Sequence, residues 1–132
     1  MNRIYVASKT THAPMWRMLR GAALPIISTW IDEADEGQTS DWTDLSRRCI
    51  EEAASADAIV LYVREGEQLK GALVECGAAL ACGVPVHHVG EINGITKVIT
   101  KHPLFRTFAS LHDAFDAAGA GAGVVVPKGG AA

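Results

Sequence analysis

The sequence predicts a single doubly wound α/β domain with about five parallel strands and helices on both faces of the sheet. Short apolar runs such as Ile4–Ala7 and Ala58–Val63 alternate with stretches whose apolar residues recur at helical spacing. The runs are apolar throughout, which is typical of parallel strands that are buried on both faces. Because crossovers between parallel strands are right-handed, few topologies remain. We expect a flavodoxin-like, Rossmann-like sheet with strand order 2-1-3-4-5.

The composition excludes several classes of protein. The chain has 132 residues, 48 % of them hydrophobic and 20 % charged, which fits one soluble globular domain. A net charge of −3 argues against a nucleic-acid partner. The longest apolar runs are far short of the roughly 20 residues that span a membrane, and residues 1–7 resemble a strand more than a signal peptide. We therefore expect no nucleic-acid and no membrane partner.

The three cysteines, Cys49, Cys76 and Cys82, favour a cytoplasmic location. Their number is odd and their spacing is not that of paired metal ligands. Reduced thiols fit this pattern better than a disulfide framework. We expect no metal site and no cofactor.

Capping residues and breakers set the expected elements along the chain. Pro14 suits the first turn of the first helix, Gly21 ends it, and Ser40 or Asp41 caps the second helix. The expected strands are residues 3–7, 24–30, 58–63, 84–89 and 105–108, and the expected helices are residues 11–21, 41–55, 71–83 and 111–118. Residues 31–40 form an acidic loop, and residues 95–99 resist assignment. The domain should cover residues 1–118, and residues 119–132 a small-residue tail that is flexible unless Val124–Val126 docks on a partner.

Glu75 is the most conspicuous candidate for a catalytic residue. It is the only formal charge between Lys70 and His87, in a helix of small and apolar residues, where a carboxylate is costly to desolvate. Its position four residues after Gly71 puts it in or near the first helical turn, where the helix dipole favours negative charge. Ligands bind at the carboxyl ends of parallel strands, so an ionised, partly buried Glu75 would suit a nucleophile or general base. The alternative is an acidic residue that serves the dipole alone.

Other residues around the expected strand ends are candidates for substrate binding. Trp30 and Trp42 flank the acidic loop and either sandwich a nucleobase or pack on the core. Asp32 could accept a hydrogen bond from a sugar hydroxyl, or belong to a solvated loop. The remaining candidates follow the first and third strands and are Ala7, Ser8, Lys9, Lys70 and Gly71. The two lysines and the helix start could meet a 5′-phosphate, although exposed lysines need no such reason.

Several stretches resemble the nucleoside 2-deoxyribosyltransferase family, which includes the deoxynucleoside 5′-monophosphate N-glycosidases. The central motif is a glycine at Gly71, three residues, Glu75, then Gly77-Ala78-Ala79-Leu80, closed by Gly83 and the strand start Pro85-Val86. Further matches are Ile4-Tyr5-Val6-Ala7 and Asp57-Ala58-Ile59-Val60. The resemblance covers roughly residues 1–89.

The resemblance implies a specific chemistry. Glu75 would attack the anomeric carbon of a deoxyribose and displace the base, and a second base or water would resolve the glycosyl-enzyme. Such retaining transfer needs an ionised carboxylate near an oxocarbenium-like centre. Tyr5 matches the tyrosine that positions the glutamate. The resemblance thus implies a transferase or hydrolase of nucleotide metabolism that binds a nucleoside or nucleotide and forms a homodimer or larger homo-oligomer.

Two positions depart from the family pattern. Cys49 stands where the family usually has an aspartate that helps to bind the base or sugar, and Leu69 stands where an acidic or hydroxyl residue is usual. Asp32, Asp41 or Asp44 could substitute for the missing carboxylate. The departures favour a nucleotide-binding sensor without turnover, and the intact Tyr5 and Glu75 favour the enzyme. A purely structural or assembly protein is a third reading.

Overall fold

The structure is a computed structural model that describes residues 2–34 and 39–120. Its strands and helices are, in chain order, β1 (Ile4–Ala7), α1 (Ala13–Gly21), α2 (Trp42–Ser55), β2 (Ala58–Tyr62), α3 (Gly71–Ala81), β3 (Val86–Val89), β4 (Phe105–Phe108) and α4 (Leu111–Ala117). Short 3₁₀ helices occupy Thr10–His12, Thr29–Asp32 and Ile95–Lys101. The last of these covers the segment that the sequence left unassigned.

The four strands form one all-parallel sheet in the order β1-β2-β3-β4, which confirms the α/β class. Tyr5 pairs with Ile59 and Val86 pairs with Phe105 in the register of the ladder. Every residue of β1, β2 and β3 is buried, as expected of central strands covered on both faces. Helices α2 and α3 pack side by side. On the other face, the Trp16 ring of α1 packs edge-on against Phe115 of α4, with centroids 6.2 Å apart.

The expected strand at residues 24–30 does not form in the described part of the chain. Ile26 makes a single parallel bridge to Ile4, on the side of β1 that is remote from β2. Further along β1, side chains satisfy the backbone of Val6: Ser28 Oγ accepts its N–H at 2.7 Å, and Trp30 Nε1 donates to its carbonyl at 2.8 Å. Because Val6 already has these partners, the second strand stops at one bridge, and the sheet has four strands instead of five.

The expected cap of the second helix is confirmed at Asp41, and α4 has a cap of the same kind. The Asp41 carboxylate accepts a hydrogen bond from the Asp44 N–H at the start of α2, and Ser110 Oγ accepts one from the Asp113 N–H at the start of α4. Both caps satisfy a backbone donor that the helix itself leaves unpaired. Side chains at the N-cap thus fix where these two helices begin.

Gly119 and Ala120 continue the ordered chain past α4. The Asn2 N–H donates to the Gly119 carbonyl at 3.0 Å, and Ala120 is buried. Residues 121–132 of the tail, which include Val124–Val126, and residues 35–38 of the acidic loop lie outside the described residues.

Within residues 2–34 and 39–120, none of the helices is both long and apolar enough to cross a membrane. The thiols of Cys49, Cys76 and Cys82 are free, and the first two are buried.

Candidate functional site

A cavity of about 360 Å³ opens at the carboxyl ends of β1 and β2. The loop after β1 forms one wall with Ser8–Thr11, and residues 68–72 before and within the start of α3 form another. Leu45 and Cys49 of α2, Trp30 and Glu75 complete it. The loops that follow parallel strands all lie at this edge of the sheet. Ligands of open α/β sheets bind at the same edge.

Tyr5 and Glu75 meet at the base of this cavity. Tyr5 is fully buried, and its hydroxyl donates a hydrogen bond of 2.8 Å to Glu75 Oε1. Burial, followed by the nearby Glu75 charge, raises the pKa of Tyr5 far above its ordinary value. Tyr5 is therefore a neutral donor that fixes one oxygen of Glu75.

The expectation that the helix start holds Glu75 ionised is wrong. Helix α3 begins at Gly71, so Glu75 lies past the four N-terminal residues whose N–H groups are unpaired. Burial raises the pKa of Glu75 to about 7, although the Tyr5 hydrogen bond opposes the shift and Glu52 adds to it. Near neutral pH, Glu75 is therefore divided between its charged and neutral forms.

The two departures from the family pattern lie in the cavity wall. Cys49 is buried beside the Tyr5 hydroxyl, and burial raises the pKa of its thiol to about 11. Leu69 also contributes to the wall. Among the described residues that line the cavity, Glu75 is the only one with a carboxylate.

The three aspartates that could have substituted for the missing carboxylate have other partners. The Asp32 carboxylate accepts hydrogen bonds from Nη1 and Nη2 of Arg20, at 2.8 and 2.7 Å. Asp41 caps α2, and Asp44 pairs with Arg48 at 2.8 Å. None of these three aspartates is among the described residues that line the cavity.

The cationic side of the cavity is formed by Lys9 and Lys70. Lys9 precedes a 3₁₀ turn, and Lys70 is the residue before α3. Ser8 also lines the cavity, and its hydroxyl donates to the Lys9 carbonyl and accepts from Trp16 Nε1, each at 2.8 Å. Two ammonium groups and the start of α3 suit an anionic group of a ligand, whereas the Ser8 hydroxyl has already donated its proton.

A buried pair joins the two loops that bear these lysines. His12 Nε2 lies 2.8 and 3.0 Å from the carboxylate oxygens of Glu67, and both side chains are mostly buried. The Arg64 N–H also donates to Glu67 at 2.8 Å. This pairing of the loop after β1 with the loop after β2 was not predicted, because His12 and Glu67 are 55 residues apart.

The structure brings most of the predicted site residues together but separates three from the cavity. Ser8, Lys9, Trp30, Cys49, Lys70, Gly71 and Glu75 line it, and Tyr5 lies beneath Glu75. Ala7 is fully buried, Asp32 is bound to Arg20, and Trp42 is 75 % exposed; none of the three is among the described lining residues. Trp30 therefore forms a wall without Trp42 as the second half of a sandwich.

Sequence reasoning missed other lining residues. Thr10 and Thr11 follow Ser8 and Lys9 in the loop after β1, so their position in the loop was the available signal. Leu45 precedes Cys49 by one helical turn on the same side of α2. Gln68 and Ala72 adjoin the predicted Lys70 and Gly71 and follow from the same loop position.

Comparison with known proteins leaves this site as the main evidence for function. The chain matches no protein-family model, no curated protein and no solved structure.

Proposed function

We propose that the protein cleaves or transfers the N-glycosidic bond of a 2′-deoxynucleoside or its 5′-monophosphate, with Glu75 as the nucleophile. The observation that carries the proposal is the 2.8 Å hydrogen bond between the Tyr5 hydroxyl and Glu75 in a cavity at the carboxyl ends of the strands. Glu75 is mostly buried, one of its oxygens is fixed by a hydrogen bond, and it lines a cavity. Catalytic carboxylates are found in such environments.

In the proposed reaction, the ionised Glu75 attacks the anomeric carbon as the carbon–nitrogen bond to the base breaks. The base leaves with the bonding electron pair and takes up a proton from water. Water or a second base then attacks the same carbon, releases the carboxylate and loses a proton to the hydroxide left by the first step. The product is a sugar in the first case and a new nucleoside in the second. Tyr5 holds Oε1, so the second oxygen of Glu75 makes the bond.

A 5′-phosphate fits the cationic side of the same cavity. Lys9 and Lys70 line the cavity together with the apolar side chains of Leu45 and Trp30. Charge-assisted hydrogen bonds from two lysines would favour the monophosphate over the nucleoside.

The alternative is a module that binds a nucleoside or nucleotide without turning it over. The observation that favours it is the single carboxylate among the described lining residues, with Cys49 and Leu69 where polar partners would be expected. Such a module would use the same cavity, in a cytoplasmic setting, and the two functions differ only in whether the base is released.

A second copy of the chain belongs to the proposal. Trp42 on α2 and Val74 on α3 are 75 % and 63 % exposed, on helices that pack side by side. A glycosyl intermediate also needs a site that is closed to bulk water. A homodimer through α2 and α3 would cover these side chains.

The deciding experiment follows base release. The protein is incubated with a mixture of deoxynucleosides, their 5′-monophosphates and one isotopically labelled free base, and the products are separated by chromatography with mass detection. We expect release or exchange of base by the parent and by Glu51→Gln, which removes an exposed carboxylate of α2, but not by Glu75→Gln. A 2-fluoro-2-deoxy nucleoside should add its glycosyl mass to the parent only.

Two results would oppose the enzymatic proposal. If Glu75→Gln retains more than about a tenth of the parent rate, which corresponds to a loss of less than about 1.4 kcal/mol, Glu75 is not the nucleophile. If no base is released but nucleosides raise the melting temperature, the protein is the binding module.

A further inference from the structure

A second cavity, of about 260 Å³, lies on the other side of the loop that precedes α3. It is formed at the carboxyl ends of β2 and β3, where Val63 leaves β2 and residues 92–96 follow β3. Gln68 and Leu69 line both cavities, so one loop separates them. Glu75 lines only the first, and the chemistry proposed above does not use the second.

The lining of the second cavity is mixed, with aliphatic and polar surface in similar shares. Val63, Leu73 and Ile92 contribute aliphatic side chains, and Gln68 and Asn93 contribute amides that can both donate and accept hydrogen bonds. Aliphatic side chains beside convergent amides suit a small ligand with apolar faces and a polar edge. The volume is below the roughly 300 Å³ at which pockets for drug-sized ligands begin, so the space suits one ring system.

Charge restricts the ligand further. Glu67 is the only formally charged residue among the described residues that line this cavity. Its carboxylate is held by His12 and by the Arg64 N–H. Burial disfavours the charge, but the hydrogen bonds from His12 and Arg64 bring the pKa of Glu67 below its ordinary value, so it stays an acceptor at neutral pH. A carboxylate without a lining cation repels anions and accepts N–H donors.

We propose that this second cavity is a binding site for an uncharged nitrogen heterocycle of single-ring size, whose N–H donors face Glu67 and whose polar edge meets Gln68 and Asn93. The ring faces pack on Val63, Leu73 and Ile92. The site is independent of whether Glu75 is catalytic, because it lacks contact with that residue.

The test uses side-chain methyl groups as reporters, because each cavity is lined by methyl-bearing residues that do not line the other. In a two-dimensional NMR titration of the full chain, Val63, Leu73 and Ile92 report the second cavity, and Leu45 reports the first. The probes are uracil and cytosine, with 1,3-dimethyluracil as the same ring without N–H donors, and inorganic phosphate and benzoate as anions.

We expect uracil or cytosine to shift the Val63, Leu73 and Ile92 methyl signals saturably, with a dissociation constant of about 1 mM or below. Dimethyluracil should bind at least about tenfold more weakly, because it leaves Glu67 without a donor. Phosphate and benzoate should leave these three signals unshifted.

Two pairs of variants localise the binding. Ile92→Trp fills the second cavity and should abolish the shifts of Val63 and Leu73, whereas Leu45→Trp fills the first and should preserve them. Asn93→Leu changes an exposed residue and should weaken binding about tenfold without affecting the fold, whereas Thr10→Val removes a polar group from the first cavity and should have no effect.

The proposal is overturned if neither heterocycle shifts the three reporters at about 10 mM, roughly ten times the expected dissociation constant. It is also overturned if shifts occur at Leu45 alone, if dimethyluracil binds as well as uracil, or if anions bind equally. None of these outcomes depends on whether base is released in the glycosidase assay, so the two proposals fail separately.

Discussion

At the level of single residues, the proposed mechanism depends on the protonation of Glu75. Burial raises the pKa of this carboxyl to about 7, and only the ionised form can attack a carbon centre. The rate of base release should therefore increase as the pH rises through about 7 and reach a plateau above it. The check is a profile of kcat/KM from pH 5 to 9 with a deoxynucleoside. A rate that is flat across pH 6 to 8 would contradict the assignment.

The same burial predicts how Glu75 affects stability. Because the pKa is higher in the folded than in the unfolded chain, the folded state favours the neutral carboxyl; this stabilisation is complete below about pH 4.5 and is lost as the pH rises through about 7. The full difference corresponds to about 3 kcal/mol. Glu75→Gln keeps a neutral acceptor for the Tyr5 hydroxyl and cannot ionise, so it should be more stable than the parent at pH 8.5 and nearly equal to it at pH 5.

Urea unfolding at the two pH values measures this effect. The exposed Glu51→Gln is the matched control and should change the free energy of unfolding by less than about 0.5 kcal/mol at either pH. If Glu75→Gln and the parent have the same pH dependence, Glu75 has an ordinary pKa in the folded protein.

Cys49 offers a test of the missing polar partner. It lies beside the Tyr5 hydroxyl, so Cys49→Asp would put a second carboxyl next to the Tyr5–Glu75 pair. We expect higher turnover or tighter nucleoside binding, together with a shift of the pH–rate profile to higher pH, because like charges raise each other's pKa. Cys49→Ser is the control of similar size without a charge. A folded Cys49→Asp protein with unimproved turnover and binding would show that the site does without this group.

At the level of secondary structure, the sequence predicted the helices and four strands, because caps and apolar runs are local signals. The expected strand at residues 24–30 failed for a reason that no local pattern contains. Ser28 Oγ and Trp30 Nε1 occupy the N–H and carbonyl of Val6, 22 and 24 residues away. Likewise, the helix-dipole argument placed Glu75 correctly, four residues after the helix start at Gly71, but burial, which depends on distant contacts, favours the neutral carboxyl that it did not expect.

The side chains of Ser28 and Trp30 take the place of backbone hydrogen-bond partners for Val6, and this contact can be tested at Ser28. Ser28 is fully buried, so Ser28→Ala leaves the Val6 N–H without its acceptor and should lower the free energy of unfolding by about 1–3 kcal/mol. Ser55→Ala, at an exposed site with only a long hydrogen bond, should cost less than about 0.5 kcal/mol. Equal effects of the two changes in urea unfolding would show that the Ser28 contact contributes little.

At the level of the whole molecule, the candidate site was predicted in outline, because loops at the carboxyl ends of parallel strands must converge. This topological rule brought Ser8, Lys9 and Lys70 to one cavity. The rule could not predict that Trp30 lines the cavity and Trp42 does not, since both flank the same loop. Packing buries Trp30 and leaves Trp42 exposed. The His12–Glu67 pair and the second cavity also depend on contacts between distant loops.

The proposed dimer is the last prediction, and it concerns the surface formed by α2 and α3. Trp42 is 75 % exposed on α2 and Val74 is 63 % exposed on the neighbouring α3. Exposing such apolar surface to water is unfavourable, and an interface, where tryptophan is enriched, would bury it. We expect light scattering at micromolar concentration to give twice the 14.0 kDa mass of one chain. Trp42→Glu should shift the mass towards the monomer and reduce base release, because the site would open to water. Met18→Glu is the matched control, since Met18 is 61 % exposed on α1, on the other face of the sheet, and should leave both the mass and the activity unchanged. A parent protein that remains a 14.0 kDa monomer yet releases base would show that one chain closes its own site.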